Sequence, residues 1–314
     1  SKLVIGLATG WPLVLVARLA DRFGKGLRTS PRDALIAADT PSEHRGRAFG
    51  FNRALDTAGA VVGPLAGLAL YEALDHRLRP LFFVAFVPAA ASVALIGLVR
   101  EHAPPPDRGT ARQLRGPLPR RYWRVVVFLT LFGLANFSDA FLILRAKDLG
   151  LSFVGIILAY ALYNVSYALL SYPAGVISDR VPRRLVFATG LGIFAAAYIG
   201  LGAVTSAGWV WLLLPLYGGY TALTDGVGKA WVADLLPEAR VGSGLGLYQG
   251  LAGGAALLAG VWAGLAWGSD GRFPLLVSGL VVAALAAVLF IRGARLERVG
   301  DVEVADGDGI GPAC

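Results

Sequence analysis

An all-α polytopic membrane protein, built as two pseudo-symmetric helical bundles with the first incomplete, is the fold this sequence predicts, on three observations. The first is composition: 56% of the 314 residues are hydrophobic, only 16% are charged, and the mean hydropathy is +0.62, more apolar than a soluble core requires. The second is the length and continuity of the apolar runs. A stretch of about 20 such residues crosses a hydrocarbon layer about 30 Å thick, and runs this continuous argue against the alternating pattern of a β-barrel. The third is an internal repeat: "AADTPSEHRGRAFGF" at 37–51 and "VADLLPEARVGSGLGL" at 232–247 share Ala-Asp, Pro, Glu, Arg and a glycine-spaced helix start. Each closes one span and opens the next, the pattern of a chain made from structural repeats with a site at their interface.

Taken in order, the apolar pattern predicts helices near 11–38, 48–71, 80–99, 122–145, 153–177, 184–204, 208–233, 243–268 and 273–292, preceded by a short apolar remnant, "SKLVIGLATG". The organisation expected is an incomplete N-terminal bundle over 1–99, a basic Pro-rich cytoplasmic linker over 100–121, a six-helix bundle over 122–293 and a disordered cytoplasmic tail over 294–314. Sixteen Arg residues fall on one side of this arrangement and five Lys or Arg on the other, Arg145 among the five. The first side is therefore expected to be cytoplasmic. The net charge of +8 follows from those loops, and no nucleic-acid partner is expected.

Residues 18–33 interrupt the apolar pattern. Arg18, Asp21, Arg22, Lys25, Arg28, Arg32 and Asp33 place seven charges in sixteen positions, and at 100° per residue they occupy an arc of roughly 140°. At about 2.5–3.5 kcal/mol per charge near mid-bilayer, such a stripe cannot face lipid. It faces an inner cavity, or, for Arg28 to Asp33, the cytoplasmic interface, where the side chains snorkel or pair with one another.

Other embedded polar residues are weighed in the same way. Arg53 and Asp56 are spaced i,i+3, and Asp225 and Lys229 i,i+4, so each couple is expected to pair along its own helix. Asp139, in "NFSDAF", has no partner nearby in sequence and is a candidate for proton binding. Tyr160, Tyr163, Asn164, Tyr167 and Ser171 share one helical face, as do Tyr217, Tyr220, Thr221 and Thr224; packing or an interfacial belt accounts for many such tyrosines, and two such faces also suit an amphipathic pocket. Gly59, Gly63 and Gly67 recur every four residues and are expected to line a close-packed face, with Pro64 bending the span. His44, His76 and His102 all fall in loops, and no Ser/His/Asp, phosphate-loop or metal-ligand spacing occurs. No enzyme activity, metal or cofactor is expected. The single cysteine, Cys314, excludes an intrachain disulfide.

Two motifs carry a family resemblance. "GVISDRVPRR", Gly175 to Arg184, resembles the G-x-x-x-D-R-x-G-R-R loop signature of the major facilitator superfamily, with Asp179, Arg180, Arg183 and Arg184 in register and Pro182 where Gly is usual. "RGRAFGFNRALDTAGAVVGPLAG" resembles its fifth-helix motif: Gly50, Gly59, Gly63, Pro64 and Gly67 fit the pattern associated with antiporters, with Leu68 in place of a second Gly. The resemblance implies a fragment covering the end of helix 3 and helices 4 to 12. It favours the cavity for Arg18, which precedes Gly24 and Gly26 as an Arg precedes a Gly-x-Gly pair in the family's fourth helix. By the same resemblance the chain is expected to move a small solute by alternating access, exporting it against protons. It is expected to lie as a monomer in the plasma (inner) membrane, C-terminus cytoplasmic, with the lipid bilayer as its other partner. A transport-inactive scaffold or receptor on the same fold is the rival reading.

Overall fold

A computed structural model describes the backbone at residues 2–8, 10–75, 77–96 and 117–307, and the side chains at these positions except 2, 18, 19, 21–23, 25–27, 30, 64, 68, 78, 79, 96, 238 and 292–307. The described residues form helices α1 (Lys2–Leu7), α2 (Trp11–Ala38), α3 (Arg45–Ala73), α4 (Leu78–Ile96), α5 (Arg120–Ala135), α6 (Ala140–Asp148), α7 (Phe153–Arg180), α8 (Arg183–Ala203), α9 (Val210–Asp234), α10 (Val241–Leu265) and α11 (Arg272–Gly307). Among the described residues, six stretches are long and apolar enough to cross a membrane: Ser42–Ala73, Arg120–Asp148, Phe153–Arg180, Arg183–Ala203, Val241–Leu265 and Arg272–Ile291. Helix α2 carries the charged stripe, and α9 carries Asp225 and Lys229 among tyrosines and threonines. Both are long enough to span but owe their stability to polar partners inside the protein.

Helix α7 lies at the centre of the assembly, against α3 on one side and α9 on the other. Helix α9 continues to α8, which packs on α11, while α10 lies against both α2 and α5. Of the apolar stretches α8 is the most enclosed, with 61% of its window buried, against 6% for the stretch containing α3. Outward-facing Leu257, Leu258, Val261 and Leu265 on α10, and Val62 and Leu65 on α3, remain exposed, as side chains that meet acyl chains are. Two hydrogen bonds tie α5 to α10: Tyr122 donates to the Gly244 carbonyl at 2.9 Å, and Trp262 Nε1 to the Leu134 carbonyl at 2.8 Å.

The repeat is visible in three dimensions. Helix α2 ends beside Asp39 and α9 at Asp234; each is followed by a 3₁₀ turn, Ser42–His44 or Glu238–Arg240, and then by the next long helix.

Four expectations are corrected. The span expected over 122–145 is broken between α5 and α6, because the chain turns at Asn136 and restarts at Asp139. The tail expected to be disordered is helical as far as Gly307, where the sequence offers no proline to stop the helix. Arg145, counted among the five charges of the side opposite the cytoplasmic one, is not a loop charge but is 2% exposed. Its guanidinium donates to the carbonyls of Leu201, Val204 and Asp270 at 2.8–2.9 Å, fastening α6 to the end of α8 and to the turn before α11. The close-packed glycine face also lies elsewhere. A Cβ at Gly59, Gly63 or Gly67 would meet nothing within 4 Å among the described residues, whereas one at Gly50 would lie 2.5 Å from the Ser171 carbonyl oxygen. The tight crossing of α3 on α7 thus uses the first turns of α3, where Gly46 and Gly50 face Ser171 and Gly175.

Candidate functional site

The crossing of α3 on α7 ends in a polar latch. Asp179, in the last turn of α7, has a side chain 2% exposed and accepts from the backbone N–H groups of Gly46 and Arg47 at 2.7 and 3.0 Å. These are unsatisfied donors at the start of α3, where the helix dipole also favours a carboxylate. Arg47 Nε adds a bond at 3.3 Å, and Arg183 lies 3.6 Å away. Arg183 in turn holds Asp234 at 2.6 Å and donates to the Ser42 carbonyl at 3.2 Å, while Arg45 reaches Asp234 at 3.5 Å. Arg45 and Asp234 belong to different copies of the repeat, so each copy supplies one partner of the pair. Gly175 is required because its Cβ would run into the Gly46 backbone. Pro182 opens α8 with φ −50°, a value its ring favours. Arg180 is exposed and Arg184 half-buried beside this latch.

Above the latch, charges alternate between helices. Lys229 on α9 meets Asp33 on α2 at 2.7 Å, their side chains 6% and 0% exposed, and Gln249 on α10 donates to the same carboxylate at 3.1 Å. Arg32 lies 3.4 Å from Asp33 and 3.2 Å from Asp56. Arg53 is 3.7 Å from Asp56, the pairing expected along α3, and grips both oxygens of Asp225 at 2.9 and 3.1 Å. The pairing expected between Asp225 and Lys229 does not form. Each finds its partner on α3 or α2, because the turns of α9 that carry them face those helices. Arg32 and Asp33 thus pair with one another, as the sequence allowed, and also with residues of other helices at the junction. The side chains of Arg18, Asp21, Arg22 and Pro64 lie outside the described residues.

Beyond this network lies a cavity of about 380 Å³, lined by Arg53, Asp139, Asp225, Asn136, Thr221, Thr224 and an aromatic wall of Phe132, Tyr163, Tyr167, Phe187, Tyr217, Tyr220 and Tyr248. A second lobe of about 330 Å³ shares Arg53, Asp139, Tyr163 and Tyr167 with it and is lined on its other side by Arg28, Arg32, Asp56, Tyr160 and Asn164. These volumes suit a small organic solute. Tyr167 donates to Asp225 at 2.6 Å, and Asn164 to the Tyr160 carbonyl one turn earlier at 2.9 Å. Asp139 accepts from Tyr163 and Tyr217 at 3.3 and 2.9 Å. It stands at the N-cap of α6 without capping it, since its carboxylate is turned to those hydroxyls. No ion pair to Asp139 occurs among the described residues.

Of the residues singled out in the sequence, Arg32, Asp33, Arg53, Asp56, Asp139, Tyr163, Asn164, Tyr167, Asp225 and Lys229 converge here. Phe132, Asn136, Phe187, Tyr248 and Gln249 were not foreseen. Asn136 had a visible signal, since it sits one turn before Asp139 in the same "NFSDAF" segment.

Known proteins place this architecture. The chain is 32% identical over 297 residues to an uncharacterized MFS-type transporter of Methanocaldococcus jannaschii, covering 92% of this chain and 74% of the relative. It is 29% identical over 189 residues to a puromycin resistance protein of Streptomyces alboniger, covering 58% of this chain and 36% of that protein. Among solved structures the human organic anion transporter MFSD10 (TETRAN) superposes with a TM-score of 0.73 at 17% identity, over 92% of this chain and 73% of that one. Because the family model of the Major Facilitator Superfamily matches residues 2–144 and again 125–307, this multi-pass membrane chain belongs to the Major Facilitator Superfamily.

Proposed function

We propose that this protein is a secondary active transporter that exports a small solute by alternating access in exchange for protons. It does so from the plasma (inner) membrane, as a monomer with its C-terminus in the cytoplasm. The observation that carries the reading is Asp139. Every other carboxylate on the cavity wall has an arginine partner within 4 Å, whereas among the described residues Asp139 is held by two tyrosine hydroxyls alone. A carboxylate without a counter-ion in a membrane-embedded cavity is stabilised by taking up a proton, or by a ligand that replaces one. The named resistance of the Streptomyces relative supports outward movement of the solute, as does the antiporter-like glycine pattern of α3.

The latch gives the reading its gate. Asp179, Arg183, Gly46 and Gly175 close one end of the junction, and in this reading that arginine-rich end is the cytoplasmic gate. Reopening it exchanges the bonds from Asp179 to the N-terminus of α3 for another partner. Arg32, Asp33, Arg53, Asp56, Asp225 and Lys229 couple cavity occupancy to that closure, because each carboxylate in the series has its cation on another helix or one turn away.

Proteoliposomes carrying an imposed pH gradient test this. Uptake of puromycin and a panel of amphipathic solutes into inside-acid vesicles is expected to follow the gradient. Asp139→Asn is expected to lose that dependence, any solute movement that remains no longer following the gradient. Solute movement in the unaltered protein that ignores the gradient would sink proton coupling.

A further inference from the structure

We infer that the cavity recognises its solute as a protonated amine on an aromatic or apolar body, its N–H groups taken by Asp139 and Asn136 and its charge covered by tyrosine faces. The inference rests on the transport reading and names the substrate class of the same site. In the larger lobe the charged residues are Arg53, Asp225 and Asp139. Arg53 and Asp225 neutralise each other through two contacts, so the charge left unpaired among the described residues of this lobe is negative. Arg28 and Arg32 line only the second lobe, which shares Asp139 with the first, and Arg32 is paired there with Asp56.

The hydrogen-bond inventory points the same way. Tyr163 and Tyr217 spend their hydroxyl hydrogens on Asp139, and Tyr167 spends its own on Asp225. A carboxylate accepting two bonds retains lone pairs for more. The Asn136 amide nitrogen donates to the Tyr220 hydroxyl at 2.8 Å, and its carbonyl oxygen is buried without a donor. Buried acceptors are normally satisfied, and an ammonium group brings N–H donors to this oxygen and to Asp139 at once. The rings of Tyr163 and Tyr217 stack with centroids 5.4 Å apart, and Tyr220 follows 5.1 Å from Tyr217. Ring faces attract a cation within about 6 Å of their centroids and offer an anion nothing comparable.

Binding of two fused three-ring probes of opposite charge decides the matter. The purified full chain in detergent micelles at pH 8 is titrated with proflavine, an aromatic cation bearing N–H donors, and with anthracene-2-sulfonate, protein-free micelles serving as blank. Proflavine is expected to bind at least tenfold more tightly. Asp139→Asn is expected to weaken proflavine at least tenfold without weakening the sulfonate, and Tyr217→Leu to weaken proflavine severalfold. Absence of saturable proflavine binding, sulfonate binding of equal or greater strength, or an Asp139→Asn affinity within twofold of the unaltered protein overturns the inference. The cation-to-anion ratio of the unaltered chain is decisive even if the variants fail to fold. Cation-selective binding without solute-proton exchange in vesicles counts against transport and leaves the site standing. Exchange driven only by anions does the reverse.

Discussion

Arg53 and Lys229 show how single residues here answer to distant ones. Each has a carboxylate within helical reach on its own helix, yet each makes its shortest ion pair with a carboxylate contributed from far along the chain, Asp225 at 2.9 Å and Asp33 at 2.7 Å. A bidentate guanidinium–carboxylate pair is the strongest form such a contact takes, and removing one member strands the other in a water-poor site. With the side chains of Arg53 and Asp225 22% and 31% exposed, solvent tempers that penalty. Asp225→Asn and Arg53→Gln are each expected to cost about 1–3 kcal/mol, and the double variant less than their sum, with a coupling of about 1–3 kcal/mol. Denaturation in mixed micelles measures this, and additive losses would show that the two do not act as a pair.

At the scale of elements, the close contact of α3 on α7 is restricted to one end. A methyl group at Gly50 would press on the Ser171 carbonyl and on Gly175 Cα, at 2.5 and 3.2 Å, while one at Gly63 would enter open space. Overpacking a tight contact costs about 1–3 kcal/mol. Gly50→Ala is expected to lower thermal stability in detergent by that order, and Gly63→Ala to leave it within about 0.5 kcal/mol. Equal effects would mean that the glycine pattern of α3 does not mark where the helices touch. The break between α5 and α6 is the other feature at this scale. It lets Asp139 leave the helix line and meet α7 and α9, the kind of irregular backbone tolerated at membrane depth only beside a cavity or other protein.

For the molecule as a whole, the latch at Asp179 and the cavity at Asp139 are two ends of one junction between helices drawn from both copies of the repeat. Closure at the latch depends on two charge-assisted bonds from the start of α3 to Asp179, and Asp179→Asn removes the charge while keeping the shape. Ser171 is 1% exposed between α3 and α7. In a Cys314→Ser background, a cysteine placed by Ser171→Cys is expected to resist a membrane-impermeant maleimide, and to react at least severalfold faster once Asp179→Asn is added. Unchanged labelling would show that the latch does not hold the two helices together. Much of this organisation was legible beforehand: the helices fall where the apolar runs lie, and the two Ala-Asp repeats mark matching helix-to-helix turns. The partners of Asp139 were not legible, because Tyr163 and Tyr217 are 24 and 78 positions away along the chain.

The sequence by itself determined the membrane class, most of the helical spans and the family motifs. All of these follow from local quantities: run length, hydropathy, a rise of 1.5 Å per residue and the cost of a charge in lipid. Tertiary structure alone decided which carboxylate each cation takes, where the glycines of α3 touch a neighbour and where the expected span over 122–145 breaks. Helical spacing fixes the direction in which a side chain points along its own axis. What stands opposite is set by how distant helices cross, and that depends on many contacts at once.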